Sequence, residues 1–253
     1  MVYGIYSSAA GLMTSQYRQD VLANNLANVA TVGFKQDLTA IRERLPASRE
    51  GLTDRAASDA SLAGMTGGSL VAPTYTSFEP GAVETTGNAL DVAIAGEGFF
   101  RVRAGSTEGY TRDGRFTLNK DGLLMTATGQ AEVLDTSGRP IKVPATLKDR
   151  VRIDANGQVR AGKQSCGEIG VVRFDDESQL RKTGGNLLTA NGAKAKETQA
   201  DFKVGSIETS NVDATRSMVA MIEASRAYQM NATMIGLADQ TLGRAVNEIA
   251  KVK

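Results

Sequence analysis

The sequence has no histidine and no tryptophan, a single cysteine (Cys166), five prolines and only 5% aromatic residues. Without histidine, and with one cysteine, the Ser-His-Asp and Cys-His nucleophile arrangements are excluded. So are His-containing or multi-Cys zinc sites and any intramolecular disulfide. With so few aromatics the core must be built mainly from Leu, Ile, Val, Ala and Met. An excess of either charge is missing too: 29 basic against 28 acidic side chains leave a formal net charge of +1. That balance gives no electrostatic preference for nucleic acid or for an anionic membrane surface. No apolar run approaches the ~18 residues of a spanning helix, so no direct membrane insertion is expected. The opening MVYGIYSSAAGLMTSQ lacks the basic and continuously apolar regions of a Sec-type signal. At 253 residues the chain is long enough for one large domain or two modest ones.

The clearest positive pattern lies at the C-terminal end. Met221, Tyr228, Ile235, Leu242 and Ile249 recur at seven-residue intervals, and Met218, Ser225, Ala232, Asp239 and Val246 form a second track three positions ahead. This 3-4 alternation predicts a long helix over 212–252 with a coiled-coil-like stripe. Ser210 or Asn211 is the expected N-cap, and Asp213 places negative charge in the first turn. Small and polar residues occupy half of the stripe, which suits close approach of several helices better than a free dimer. The N-terminus carries a weaker version of the period. Ile5, Leu12 and Leu26 share one track, interrupted by Gln19, and Leu22 and Val29 continue another. Arg18, Asp20 and Lys35 are the charged residues of positions 1–35, so this helix lacks the charged outer face of a solvated one.

Between these ends the character changes twice. Residues 36–89 hold Pro46, Pro73, Pro80 and the tract EGLTDRAASDASLAGMTGGS, which predicts an extended, loosely structured connector. From about residue 90, turn dipeptides (Asp113-Gly114, Asp121-Gly122, Thr128-Gly129, Ser137-Gly138, Asn156-Gly157) alternate with short runs such as FFRVR and IGVVRF. That spacing predicts an antiparallel β domain over 90–205. The expected fold class is therefore α+β: terminal helices, 1–35 and 206–253, pair into a coiled-coil-like domain, with the β domain inserted between them.

Candidate chemistry is sparse. Gly96-Glu97-Gly98 lacks the third glycine of a dinucleotide loop, because Arg101 stands there, and more strand follows in place of a helix. Asn119-Lys120-Asp121-Gly122 has the core of a calcium loop, but Thr117 and Thr128 occupy the first and last ligand positions; a hairpin turn explains it. Asp175-Asp176-Glu177 reads as a solvated loop, and Cys166 as incidental. No catalytic residue, cofactor or metal is expected.

Three stretches carry a family resemblance: ANNLANVATVGFK at 23–35; DVAIAGEGFFRV with GYTRDGRFTLNKDGLLMTATG within 91–129; and GSIETSNVDATRSMVAMIEASRAYQMN at 205–231. In this order they resemble the signatures of flagellar axial proteins, the rod, hook and junction components. Length and the lack of a large extra domain point to a rod component. The Gly4-Ile5-Tyr6 start and the ending ADQTLGRAVNEI point to the proximal rod, with the distal rod or a hook-type protein as the alternative. A soluble β-domain binding protein with helical arms is the rival of another class.

The resemblance implies a structural, non-enzymatic subunit, exported through the flagellar type III apparatus and assembled in the periplasm with copies of itself and other rod proteins. Asn24, Asn25, Asn28, Gly33 and Phe34 match the first signature, and Ser210, Asn211 and Val212 the last. The asparagines are expected to bridge backbone groups of neighbouring helices, Gly33 to end the first helix, and Phe34 to pack the exit into the connector. With the helix positions Ile5, Leu12, Leu22, Leu26, Met218, Met221, Tyr228, Ile235, Leu242, Val246 and Ile249, they make up the expected assembly interface.

Overall fold

The computed structural model describes residues 2–45 and 68–249. The chain forms two compact units, one of Met1–Ala27, Asp37–Tyr75 and Asp213–Lys253, the other of Asn28–Gln36 and Thr76–Val212.

The first unit is built on two helices, α1 (Val2–Ala27) and α2 (Ala214–Ile249), which pack on each other. Asp213 caps α2, its Oδ1 accepting the Arg216 N–H at 3.0 Å, which satisfies one of the orphan donors of a helix start. Ser210 and Asn211 lie upstream of this cap, so the expected N-cap moves two or three residues on. The expected extension of α2 to 252 falls on residues outside those described.

The inward face of α2 also differs from the expected stripe. Ser217 and Ala224 are buried, and Met221, Tyr228, Asn231, Ile235, Ala238, Leu242 and Ala245 are half-buried. The Met221 track therefore faces inward, but its partner track runs through 217, 224, 231, 238 and 245. Met218, Ala232, Asp239 and Val246 are exposed instead, and Ser225 is half-buried. Small residues on the inner track bring the backbones close. A Cβ built on Gly11 of α1 would lie 2.8 Å from the Asn231 Oδ1.

Beside the helices, β1 (Asp37–Glu43) pairs with β2 (Ser69–Thr76) in a two-stranded ribbon. The region expected to be a loose connector thus carries regular strands at both of its described ends. Asn25 ties the ribbon to α1. Its Nδ2 donates to the Asp37 carbonyl at 2.7 Å, and its Oδ1 accepts the Asp37 N–H at 2.9 Å.

The second unit is all β apart from two short 3-10 turns. In chain order its strands are β3 (Val83–Thr85), β4 (Val92–Ala95), β5 (Phe99–Ala104), β6 (Thr107–Thr111), β7 (Phe116–Leu118), β8 (Leu124–Thr126), β9 (Glu132–Val133), β10 (Val151–Ile153), β11 (Gln158–Ala161), β12 (Gln164–Glu168), β13 (Val171–Phe174), β14 (Leu180–Gly184), β15 (Leu187–Ala190), β16 (Ala195–Glu197), β17 (Asp201–Val204) and β18 (Ser206–Glu208). The main sheet runs β14-β15-β6-β5-β9-β8-β7, with β13 joining β5 to β16. β10-β11-β12 form a second sheet, and β17 and β18 return to pair with β4 and β3. Every registered pairing is antiparallel.

Alternation along these strands sends Phe100, Val102, Leu124, Val133, Ile141 and Val159 into one core. Phe99, Tyr110, Phe174, Leu180 and Leu188 enter a second. Each such side chain contributes roughly 1.5–3 kcal/mol on burial. Of the Asp-Gly pairs, Asp121-Gly122 makes the expected hairpin turn between β7 and β8. Asp113-Gly114 does not: Gly114 is pressed against the Val92 backbone, with its carbonyl accepting the Val92 N–H at 3.0 Å.

Candidate functional site: a buried charge cluster where three motifs meet

Three ionised side chains, each about 3% exposed, sit together inside the second unit. Lys35 comes from the GFK end of the first motif, Arg112 from the TRDG stretch of the second and Glu208 from the IET stretch of the third. Lys35 Nζ donates to Glu208 Oε1 at 2.6 Å and to the Glu79 carbonyl at 2.8 Å. Arg112 Nη1 donates to Glu208 Oε2 at 3.1 Å and Nη2 to the Gly96 carbonyl at 2.9 Å. The Gly81 N–H adds a third bond to the carboxylate, donating to Oε1 at 2.9 Å. Arg112 lies over the Phe99 ring, 5.2 Å from its centroid, so the cluster rests on the second core.

Burial sets the electrostatics. It pulls the Lys35 ammonium below its usual range, and the attraction of Glu208 only partly offsets this. Arg112 is lowered for the same reason, again opposed by Glu208. Both cations thus lose on leaving water, and at Lys35 the like charge of Arg112 adds to the loss, in keeping with the desolvation cost of buried ion pairs.

The backbone around the cluster is stapled as well. The Gly33 N–H donates to the Glu208 carbonyl at 2.7 Å, and the Asn211 N–H to the Phe34 carbonyl at 3.3 Å. Asn211 Oδ1 accepts the Gln36 N–H at 2.7 Å, while its Nδ2 donates to the Ser77 and Glu79 carbonyls, both at 3.1 Å. From the β14–β15 hairpin, Lys182 Nζ donates to the Lys35 carbonyl at 2.6 Å and lies 4.3 Å above the buried Phe34 ring. Asn186 Nδ2 donates to the Val32 carbonyl at 2.8 Å. Gly33 has φ +68°, and a Cβ there would stand 2.5 Å from the Asp113 nitrogen. It therefore does not end α1, which stops six residues earlier at Ala27; it lets the chain press against the Arg112–Asp113 backbone.

The site residues expected from sequence fall into three groups. Gly33, Phe34, Ser210, Asn211 and Val212 gather around the cluster, with Ser210 Oγ accepting the Val212 N–H at 3.3 Å. Ile5, Leu12, Leu22, Asn25, Leu26, Met221, Tyr228, Ile235 and Leu242 are buried or half-buried in the helical unit, and Asn24, Met218 and Val246 are exposed there. Asn28 is half-buried in the turn after α1; the Ile249 side chain lies outside those described. Asn25 and Asn211 each bridge backbone groups within the chain. Lys35, Arg112, Glu208, Lys182 and Asn186 were not expected. The available signal was that Lys35, Arg112 and Glu208 each fall inside one of the three motifs.

The arrangement offers no reactive group. Among the described residues no cluster of three or more His, Cys, Asp or Glu can hold a metal ion, and no helix is long and apolar enough to cross a membrane. What it builds is a tie point, in a molecule of terminal helices and an antiparallel β unit. Fold and site together define a structural subunit.

Comparison with known proteins gives the family. Residues 5–35 match the flagella basal body rod protein family, 93–161 the flagellar hook protein FlgE/F/G D1 domain and 203–248 the flagellar basal body rod FlgEFG protein C-terminal region. Among similar relatives, the flagellar basal-body rod protein FlgG of Bacillus subtilis is 34% identical over 98% of this chain and 99% of its own. FlgF of Caulobacter vibrioides is 36% identical over 98% of both chains. FlgG of that same organism is 30% identical over 93% of this chain and 95% of its own. The chain belongs to the flagellar basal-body rod protein family: it is a structural protein of the rod.

Proposed function

We propose that the chain builds the axial drive shaft by packing its terminal helices against those of neighbouring subunits, and that it transmits torque through those contacts. The observation that carries this reading is where apolar surface is left uncovered. Of sixteen exposed large hydrophobic residues among those described, fourteen belong to the helical unit and two, Val83 and Val204, to the β unit. Val219, Ile222, Met230 and Leu237 lie along the side of α2 away from its Met221–Leu242 face, and each is at least half exposed. Apolar surface of this extent marks an interaction site. Subunits joined by head-to-tail contacts that do not close a ring form helical assemblies, with the helices paired in coiled-coil fashion.

Partners in this reading are copies of the chain and other rod proteins in the periplasm, reached through the flagellar type III apparatus, with no enzymatic step. The proximal rod is the favoured position: the Caulobacter FlgF is more similar to this chain than the FlgG of the same organism.

The test is the double variant Ile222→Glu, Leu237→Glu. Both side chains are exposed, so the monomer is expected to keep its circular dichroism and urea midpoint. Complementation of a strain lacking its own copy should fail in soft agar. Wild-type swarming by this variant refutes helix-mediated assembly.

A further inference from the structure

We infer that Lys35, Arg112, Glu208 and Asn211 are positioning residues: the buried charges select one seating of the segments 32–36 and 208–212, and do so at a cost in stability. The inference concerns the isolated chain and stands independently of the proposed helix packing.

Three observations carry it. First, the charge count does not balance inside the cluster, where two cations share one carboxylate. The Arg112 Nε is buried without a hydrogen-bond partner. Glu177, half-buried in the turn after β13, is the acidic side chain from another element that attracts both cations. It sits with Phe78, Glu97, Arg112 and Phe174 around an opening of about 590 Å³. A cluster tuned for stability would not leave a buried donor and a net positive charge. Second, both cations are buried at about 3% exposure, and replacing buried ion clusters by apolar side chains of equal volume is often neutral or stabilising. Third, every directional bond of the cluster except that from Arg112 to the Gly96 carbonyl has a partner in one of the two segments. Glu208 takes bonds from Lys35, Arg112 and Gly81 while its own carbonyl holds Gly33, and Asn211 reaches Phe34, Gln36, Ser77 and Glu79.

Charged groups of fixed geometry accept few alternative seatings. An apolar cluster accepts many, because burial is non-directional. The segments so fixed are the ones from which the chain continues, in sequence, into α1 on one side and α2 on the other.

The experiment uses the full-length chain and two variants, Glu208→Gln and the volume-matched triple Lys35→Met, Arg112→Met, Glu208→Leu. Glu208→Gln is expected to lower the unfolding midpoint, since it strands two buried cations. The triple variant is expected to unfold at or above the wild-type midpoint, yet to lose at least tenfold in amide-exchange protection at Gly33, Gln36 and Asn211. The core amides of Val102 and Val133 should keep theirs.

The inference is overturned if the triple variant keeps wild-type protection at those three amides. It is equally overturned if that variant fails to fold or melts below Glu208→Gln, because the charges are then stabilisers. Failure of the Ile222, Leu237 double variant to impair swarming counts against helix packing and leaves these exchange measurements untouched.

Discussion

The two units of this chain treat apolar side chains in opposite ways. The β unit seals them: Phe99, Phe100, Val102, Leu124 and Val133 are at most 1% exposed. The helical unit leaves Tyr6, Met13, Met230 and Val246 more than two-thirds exposed. A helix pair has only one shared face to bury, so a large part of each helix stays uncovered, whereas two sheets with their turns close around a core from all sides. The difference teaches how labour is divided. One unit closes around its apolar side chains; the other leaves many of its own uncovered.

The strongest way to break this comparison is Leu242→Asp. Leu242 lies half-buried on the inner face of α2, and a carboxylate there should abolish swarming in complementation while the β unit unfolds in urea as before. A coincident loss of β-unit stability would show that the two units are not separable. Next in size is Gly33→Ala. The left-handed backbone alone costs about 1–3 kcal/mol, and the Cβ would also meet the Asp113 nitrogen. The loss should register as a lower urea midpoint of the β unit, with α-helical ellipticity unchanged in the folded baseline.

The smallest effect concerns Glu177. Burial holds its carboxyl above the usual range, with Arg112 opposing and Glu97 reinforcing. The folded chain therefore binds this proton more tightly than the unfolded one. Its contribution is most favourable below the ordinary value of 4.5 and is lost as pH rises through the raised value. Glu177→Gln should raise the melting temperature slightly at pH 7 and flatten that part of the pH profile. A drop at pH 7 would mean that the attraction of Arg112 and Lys35 prevails over burial.

Much of the architecture is legible in the sequence. Seven-residue spacing marks α2, and Gly-containing turns mark the β region, because both patterns are local. The inner stripe of α2 was legible only by half. Periodicity says that a face repeats, but not where α1 lies, and the residues that face inward with the Met221 track (Ser217, Ala224, Asn231, Ala238) are too small or polar to stand out. Hydropathy favours Met218 and Val246, which the fold leaves outside. The ribbon strands escape notice because Pro73 and the low-complexity tract beside it read as connector. The charge cluster could not be assembled from spacing at all: Lys35 and Glu208 lie 173 positions apart, and only the closed β unit brings them together. Even so, each motif holds one of its three charged members.

That separation has a temporal side. Lys35 emerges early in synthesis, but its carboxylate partner appears only when 208 residues of 253 exist. At about 5–20 residues per second, the lysine waits roughly 9–35 seconds for Glu208. Until then β3 and β4 lack the strands that pair with them, β18 and β17, although every strand of the main sheet has already been made. The buried cluster is therefore among the last features of the β unit that the growing chain can complete.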